Sequence, residues 1–157
     1  MRSTTPDLLR ADRALAIATP WEATGGRSGH CSGPSVTYPD WITGLADRIG
    51  FGQTIFIDGS DASLALAKAL AGSPARELTI VTNSLRITAV DLRLPATVLV
   101  CPGRLNQRTR TTEGSLTLAF LRRQRLDTAF VRGSDSIADA VRTIAKHTID
   151  PGVPPLR

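Results

Sequence analysis

Most residues suited to binding chemistry in this 157-residue chain fall in short polar clusters behind apolar runs. These are Asp58-Gly59-Ser60-Asp61, Thr82-Asn83-Ser84 and Pro102-Gly103, with Gly114 further on. Hydroxyls, one amide and backbone N–H groups can hold a small polar molecule by hydrogen bonds. Ser, Asn and Asp are also the usual caps of helices, a role that needs no ligand. His30-Cys31 brings together two metal-binding types, but nothing at metal spacing accompanies them, so no metal or other cofactor is expected. Cys101 ends an apolar run and reads as a buried thiol.

The clusters gain meaning from what flanks them. Thr54–Ile57 is a continuous β-favouring run, and Asp61–Ala71 follows with Leu64, Ala67 and Leu70 at helical spacing. Asp61 is positioned to cap that helix and Gly72 to end it. Before them, Trp41–Ile49 reads as a helix. After them come a strand over Glu77–Thr82, a helix over Leu85–Leu92 broken by Pro95, and a strand over Ala96–Cys101. Arg104–Glu113 is polar and basic. A helix over Leu116–Arg123, a strand over Leu126–Val131 and a helix over Ser134–His147 complete the pattern. Short buried strands alternating with helices imply an α/β fold, a mostly parallel sheet with helices on both faces. In such a sheet the strand-end turns meet at the carboxyl edge, so the clusters would line one crevice suited to a phosphorylated sugar. A helix N-terminus there offers free donors and a partial positive charge to a phosphate.

Residues 1–40 contrast with this. Asp7–Ala18 could form a short amphipathic helix, but the Gly-, Ser- and Pro-rich stretch behind it has no sustained period. It reads as a linker or poorly ordered arm, with one α/β domain over 41–150 and a tail over 151–157. No apolar run approaches bilayer length and the N-terminus lacks a continuous apolar segment, so a cytoplasmic protein is expected. The net charge of +5 permits an anionic partner. Arg104, Arg108, Arg110, Arg122, Arg123 and Arg125 face only Glu113 in their region, yet no aromatic residues interleave to stack bases. A solvated face, or a surface that normally meets residues absent from this chain, accounts for them.

The segments I-F-I-D-x-x-x-x-S-L-A-L-A-K-A-L (55–70), L-T-I-V-T-N-S-L (78–85), G-R-L (103–105), E-G (113–114) and L-D-T-A-F-V (126–131) occur in order. Together they resemble the C-terminal sensor domain of DeoR-type transcriptional regulators. The resemblance implies the Rossmann-like fold of ribose-5-phosphate isomerase, glucosamine-6-phosphate deaminase and the CoA transferases. It further implies binding of a sugar phosphate at Asp58, Gly59, Ser60, Asp61, Thr82, Asn83, Ser84, Gly103 and Gly114, and assembly into oligomers. The chain departs from the family at several points. The family's first turn is an Asp, a small residue and Gly-Thr-Thr, where this chain has Asp58-Gly59-Ser60-Asp61-Ala62. Asp61 therefore places a carboxylate where an anion would sit, and like charges about 4 Å apart repel by roughly 1 kcal/mol even in water. Pro102 removes a backbone donor from the third turn. Residues 1–40 are too short and too rich in Gly, Ser and Pro for the family's winged helix-turn-helix, and the chain ends before the family's last strands. Direct sequence-specific DNA binding is not expected.

The expected function is thus a sugar-phosphate-sensing effector domain without catalysis. Isomerisation or deamination needs a base over a substrate carbon. His30 lies in the arm and His147 near the end, while Asp58 and Asp127 occupy strand edges. The alternative is a degenerate module that has lost its ligand and pairs with full-length regulators. An isomerase-like enzyme ranks third.

Overall fold

The computed structural model describes residues 39–72, 77–92 and 96–151. The expected arm, with its amphipathic helix and His30-Cys31, the break at Pro95 and nearly all of the tail lie outside them.

The chain runs α1 (Asp40–Arg48), β1 (Thr54–Ile57), α2 (Asp61–Ala71), β2 (Leu78–Thr82), α3 (Leu85–Thr88) and β3 (Ala96–Val100). It continues through β4 (Arg104–Asn106), β5 (Thr111–Glu113), α4 (Ser115–Leu121), β6 (Leu126–Phe130), α5 (Ser136–Ile144) and β7 (Ala145–Ile149). Five strands form one parallel sheet in the order β3-β2-β1-β6-β7, and β4 and β5 form a separate antiparallel hairpin. The α/β fold expected from the alternating pattern is the one observed.

The side-chain period of two in β1 shows how the core is built. Ile55 and Ile57 face a cluster with Ile42 and Leu45 of α1, Leu66 and Leu70 of α2, and Ile87 of α3. Phe56 points the other way, into a cluster with Leu121 of α4 and Ile137 and Val141 of α5. Helices therefore cover both faces. Each fully buried Leu, Ile or Phe contributes about 1.5–3 kcal/mol, and this two-sided burial holds short strands in place.

Three local expectations are corrected. The helix expected over Leu85–Leu92 is a single turn, Leu85–Thr88. Thr88 turns its hydroxyl back to the Leu85 carbonyl at 2.8 Å, and Val90 and Leu92 pack on the core as irregular chain. The helix expected to reach His147 stops at Ile144, and Ala145–Ile149 becomes β7. Its in-register pairing with β6 (Leu126↔Ala145 to Phe130↔Ile149) supplies the backbone partners that three more helical residues would have had. Arg104–Glu113, read only as a polar stretch, is the β4–β5 hairpin. The cross-strand pair Arg104–Glu113 (2.8 Å) and the Asn106 side chain, which accepts from Arg108 N–H at 3.1 Å within the turn, hold it.

Candidate functional site

From β1 the chain steps outward to β2 and β3, then returns across the sheet through the hairpin and α4 to β6 on the other side of β1. The strand order therefore reverses between β1 and β6, where loops diverge and leave a crevice beyond the carboxyl ends. A cleft of about 240 Å³ lies there. Asp58, Gly59 and Ser60 border it from the end of β1, Val131, Arg132 and Asp135 from the end of β6, and Asn83 from the end of β2. Thr109 and Thr111 of the hairpin close one wall, and Phe56, Ile137 and Ala138 supply an apolar floor. A cleft this small suits a metabolite rather than a peptide or a larger cofactor.

Asp58 organises the β1 side. Its Oδ1 accepts from the Ser60 N–H (3.0 Å) and the Ser60 hydroxyl (2.7 Å), while Oδ2 accepts from the Arg132 N–H (2.6 Å). One carboxylate thus ties the β1 turn to the β6 turn, and both oxygens are engaged. Ser60 is the N-cap of α2 and accepts from Ser63 N–H at 3.2 Å. The cap expected of Asp61 therefore belongs to Ser60. Asp135 plays the same part for α5, with Oδ1 accepting from Ala138 N–H at 2.7 Å. Two helix N-termini border the cleft, each with first-turn N–H groups that no intrahelical carbonyl can satisfy.

The other residues expected at the site stand outside the cleft. Asp61 is 87% exposed and pairs with Arg86 at 2.8 Å, so its carboxylate is neutralised away from the position feared for it. Thr82 is fully buried, donating its hydroxyl to the Ile57 carbonyl (2.7 Å) and accepting from Ser84 N–H (3.0 Å). Ser84, also buried, caps α3 by accepting from Arg86 N–H. Gly103 is packed so tightly that a Cβ there would lie 2.1 Å from Thr117 Oγ1 and 2.8 Å from the Glu113 carbonyl oxygen. Gly114 precedes α4 at φ 103°. For Thr82 and Ser84 the hairpin is the cause. It hydrogen-bonds along Asn83–Leu85 (Thr112 N–H to the Asn83 carbonyl, 2.7 Å; Leu85 N–H to the Arg110 carbonyl, 2.9 Å) and covers the ends of β2 and β3.

Asn83 stands at the boundary. It is only 7% exposed, and its Nδ2 donates to the Thr112 carbonyl at 3.2 Å. That partner, an acceptor, settles which end of the amide is nitrogen. The other end, Oδ1, is buried and has no hydrogen-bond partner.

The sequence pattern of the family described as DeoR C terminal sensor domain matches residues 44–148, two thirds of the chain. The chain belongs to this family. No curated protein matches it significantly. The family is that of the effector-binding domain of DeoR-type regulators, a regulatory module that responds to small molecules.

In this sensor domain, sequence reasoning missed Arg132, Asp135, Thr109 and Thr111 as cleft residues. Asp135 carried a signal, since Asp135-Ser136 before the Ile137/Val141/Ile144 stripe marks a helix start after a strand. Thr109 and Thr111 carried none, because nothing local says where a hairpin will fold. The basic stretch is not one patch. Arg104, Arg108 and Arg110 lie on the hairpin at the carboxyl edge, whereas Arg122, Arg123 and Arg125 lie past the far end of α4, about 10 Å along its axis. Among the described residues no group of three His, Cys, Asp or Glu side chains could hold a metal ion. His147 lies on β7, exposed and away from the cleft. Cys101 is fully buried, and desolvation pushes its thiol up to about 12. No helix among the described residues is long and apolar enough to cross a membrane.

Proposed function

We propose that the domain senses a small phosphorylated sugar or related metabolite bound in the β1–β6 cleft, without catalysing its turnover. The observation that carries this reading is the convergence of the α2 and α5 N-termini and Arg132 on one cleft at the strand-order reversal. First-turn N–H groups and the guanidinium would hold the phosphate, and Ser60, Gly59 and Asn83 the remainder. Asp61, Thr82, Ser84, Gly103 and Gly114 would support the fold of the turns rather than touch ligand. Among the described residues no imidazole borders the cleft, and the Asp58 carboxylate is occupied by three donors, which supports sensing over turnover. The domain, spanning about residues 41–150, would act in the cytoplasm as an oligomer or paired with a full-length regulator. Its effect on DNA would pass through a helix-turn-helix carried by that assembly, not through this fold.

Thermal unfolding with a panel of phosphorylated sugars tests the reading. A ligand at a hundred times its dissociation constant adds about 2.7 kcal/mol of stability. A clear upward shift with one compound supports it, and a flat panel on a cooperatively folding protein counts against it. One observation favours a second reading, an interaction module that no longer binds ligand: Asp58 and Asp135 border the cleft against the single cation Arg132. A flat panel together with capture of a full-length regulator would establish that alternative.

A further inference from the structure

The border of the cleft carries two carboxylates, Asp58 and Asp135, and one guanidinium, Arg132. A third carboxylate, Asp61, follows Ser60 directly in the chain and so lies one residue outside that border. Charges within a Debye length, about 8–10 Å at ordinary salt, act on each other without contact. An unmasked Asp61 would therefore oppose a phosphate bound beside Ser60. Arg86 meets it. Its Nη2 pairs with Asp61 Oδ1 at 2.8 Å, and its Nη1 donates to the Gly59 carbonyl at 3.4 Å. Gly59 borders the cleft, whereas Arg86 does not. The arginine is itself fixed from the side that the hairpin covers. Its N–H donates to the Ser84 hydroxyl at 3.2 Å, and the Leu85 N–H just before it donates to the Arg110 carbonyl at 2.9 Å. The β1 turn sits directly against this anchor: a Cβ on Gly59 would lie 2.8 Å from Thr111 Cγ2 and 3.1 Å from Ser84 Oγ.

We infer that Arg86 is a positioning residue of the cleft, masking the Asp61 charge and holding the Gly59 turn so that an anion can bind there. This rests on the reading of the cleft as the effector site and adds how its charge is balanced. Arg86 touches no ligand and acts through Asp61 and Gly59. The pair is too exposed to add much to folding, with side chains 39% and 87% accessible. Its weight falls instead on affinity for a charged ligand, because an anion beside Ser60 meets either a lone carboxylate or a neutralised one.

The test is calorimetric titration with ribose 5-phosphate and glucose 6-phosphate of the full chain, Arg86→Gln, Asp61→Asn and the double variant. For the sugar that binds, Arg86→Gln should weaken affinity about fivefold at low salt. Near 1 M salt, where the Debye length is about 3 Å, the loss should shrink to within about twofold. Asp61→Asn frees the guanidinium and should tighten binding about threefold, and the double variant should return to within about twofold of the unaltered chain. Arg86→Lys keeps the charge and should also stay within about twofold. A purely structural role would instead give a loss that salt does not screen and Asp61→Asn does not repair. Either of those results, or unchanged affinity in Arg86→Gln, overturns the inference while leaving the effector reading intact. Should Arg86→Gln fail to fold, Asp61→Asn alone decides, and unchanged or weaker binding there overturns the inference. Binding of neither sugar by the unaltered chain overturns both.

Discussion

The carboxyl edge of this sheet has two halves built from the same kinds of residue, and they are covered differently. Beyond β2 and β3, Thr82 and Ser84 are buried under the β4–β5 hairpin and spend their polar groups on one another and on the backbone, while Gly103, though exposed, has no room for a Cβ beside Thr117 and the Glu113 backbone. Beyond β1 and β6, Gly59, Ser60 and Arg132 border an open cleft. Residue type does not separate the halves, since a Ser or Thr behind a strand serves as cap in either. What separates them is coverage. A hairpin folds back over one half and buries Thr82 and Ser84, and the strand-order reversal leaves the other half uncovered.

The comparison can be broken first in the sealed half. Gly103→Val would force a Cβ against Thr117 and the Glu113 backbone, and should lower folding stability by about 3 kcal/mol in urea unfolding. A shift below about 0.5 kcal/mol would mean that the hairpin yields easily and the seal is loose. In the open half the expected pattern is the opposite. Arg132→Gln keeps the backbone N–H that Asp58 accepts from, so stability should stay within about 0.5 kcal/mol. Affinity for a phosphorylated ligand should nonetheless fall by about tenfold, the loss of one charge-assisted contact worth about 1.5–3 kcal/mol. A fall in stability with unchanged affinity would move Arg132 to the scaffold.

Thr82→Val sharpens the contrast. It removes the hydroxyl that bridges the Ile57 carbonyl and Ser84 N–H and should destabilise by about 1–2 kcal/mol, without altering ligand affinity measured below its unfolding temperature. The smallest effect lies at the opposite edge of the sheet. Asp127 accepts from Lys146 Nζ at 2.5 Å and from Thr54 N–H at 2.9 Å, and these bonds, the lysine's first, hold its carboxyl below the ordinary value of 3.8. A depressed folded pKa contributes stability above the unfolded value, which is lost as pH falls below about 4 and through the folded value. Between pH 6 and pH 3 the unaltered chain should therefore lose more stability than Asp127→Ala, by less than about 1 kcal/mol for so exposed a pair. Equal slopes would remove the pair from the account.

The strands and the two-sided core were legible because β1, β2 and β6 are short apolar runs between polar turns, a pattern that local sequence states directly. The end of α5 was not. Lys146-His147-Thr148 continues a helix as readily as it forms an exposed edge strand, and only the waiting edge of β6 decides. The lining of the cleft was half legible for a related reason. Asp58, Gly59, Ser60 and Asn83 were visible as strand-end polar residues. Their separation from Thr82, Ser84 and Gly103 depends on where a hairpin some twenty residues further on folds back. Asp61 shows the same limit: its charge was plain in the sequence, but its partner, Arg86, belongs to another helix.

The central claim is that the open half takes the effector and the sealed half does not. Its most direct test is amide NMR of the labelled chain, titrated with the phosphorylated sugar that most raises the unfolding temperature. The account predicts shifts at Gly59, Ser60, Arg132 and Ala138, with Ser84, Gly103 and Gly114 nearly unmoved. Shifts centred on Gly103 and Gly114, or none anywhere at saturating ligand, would contradict it.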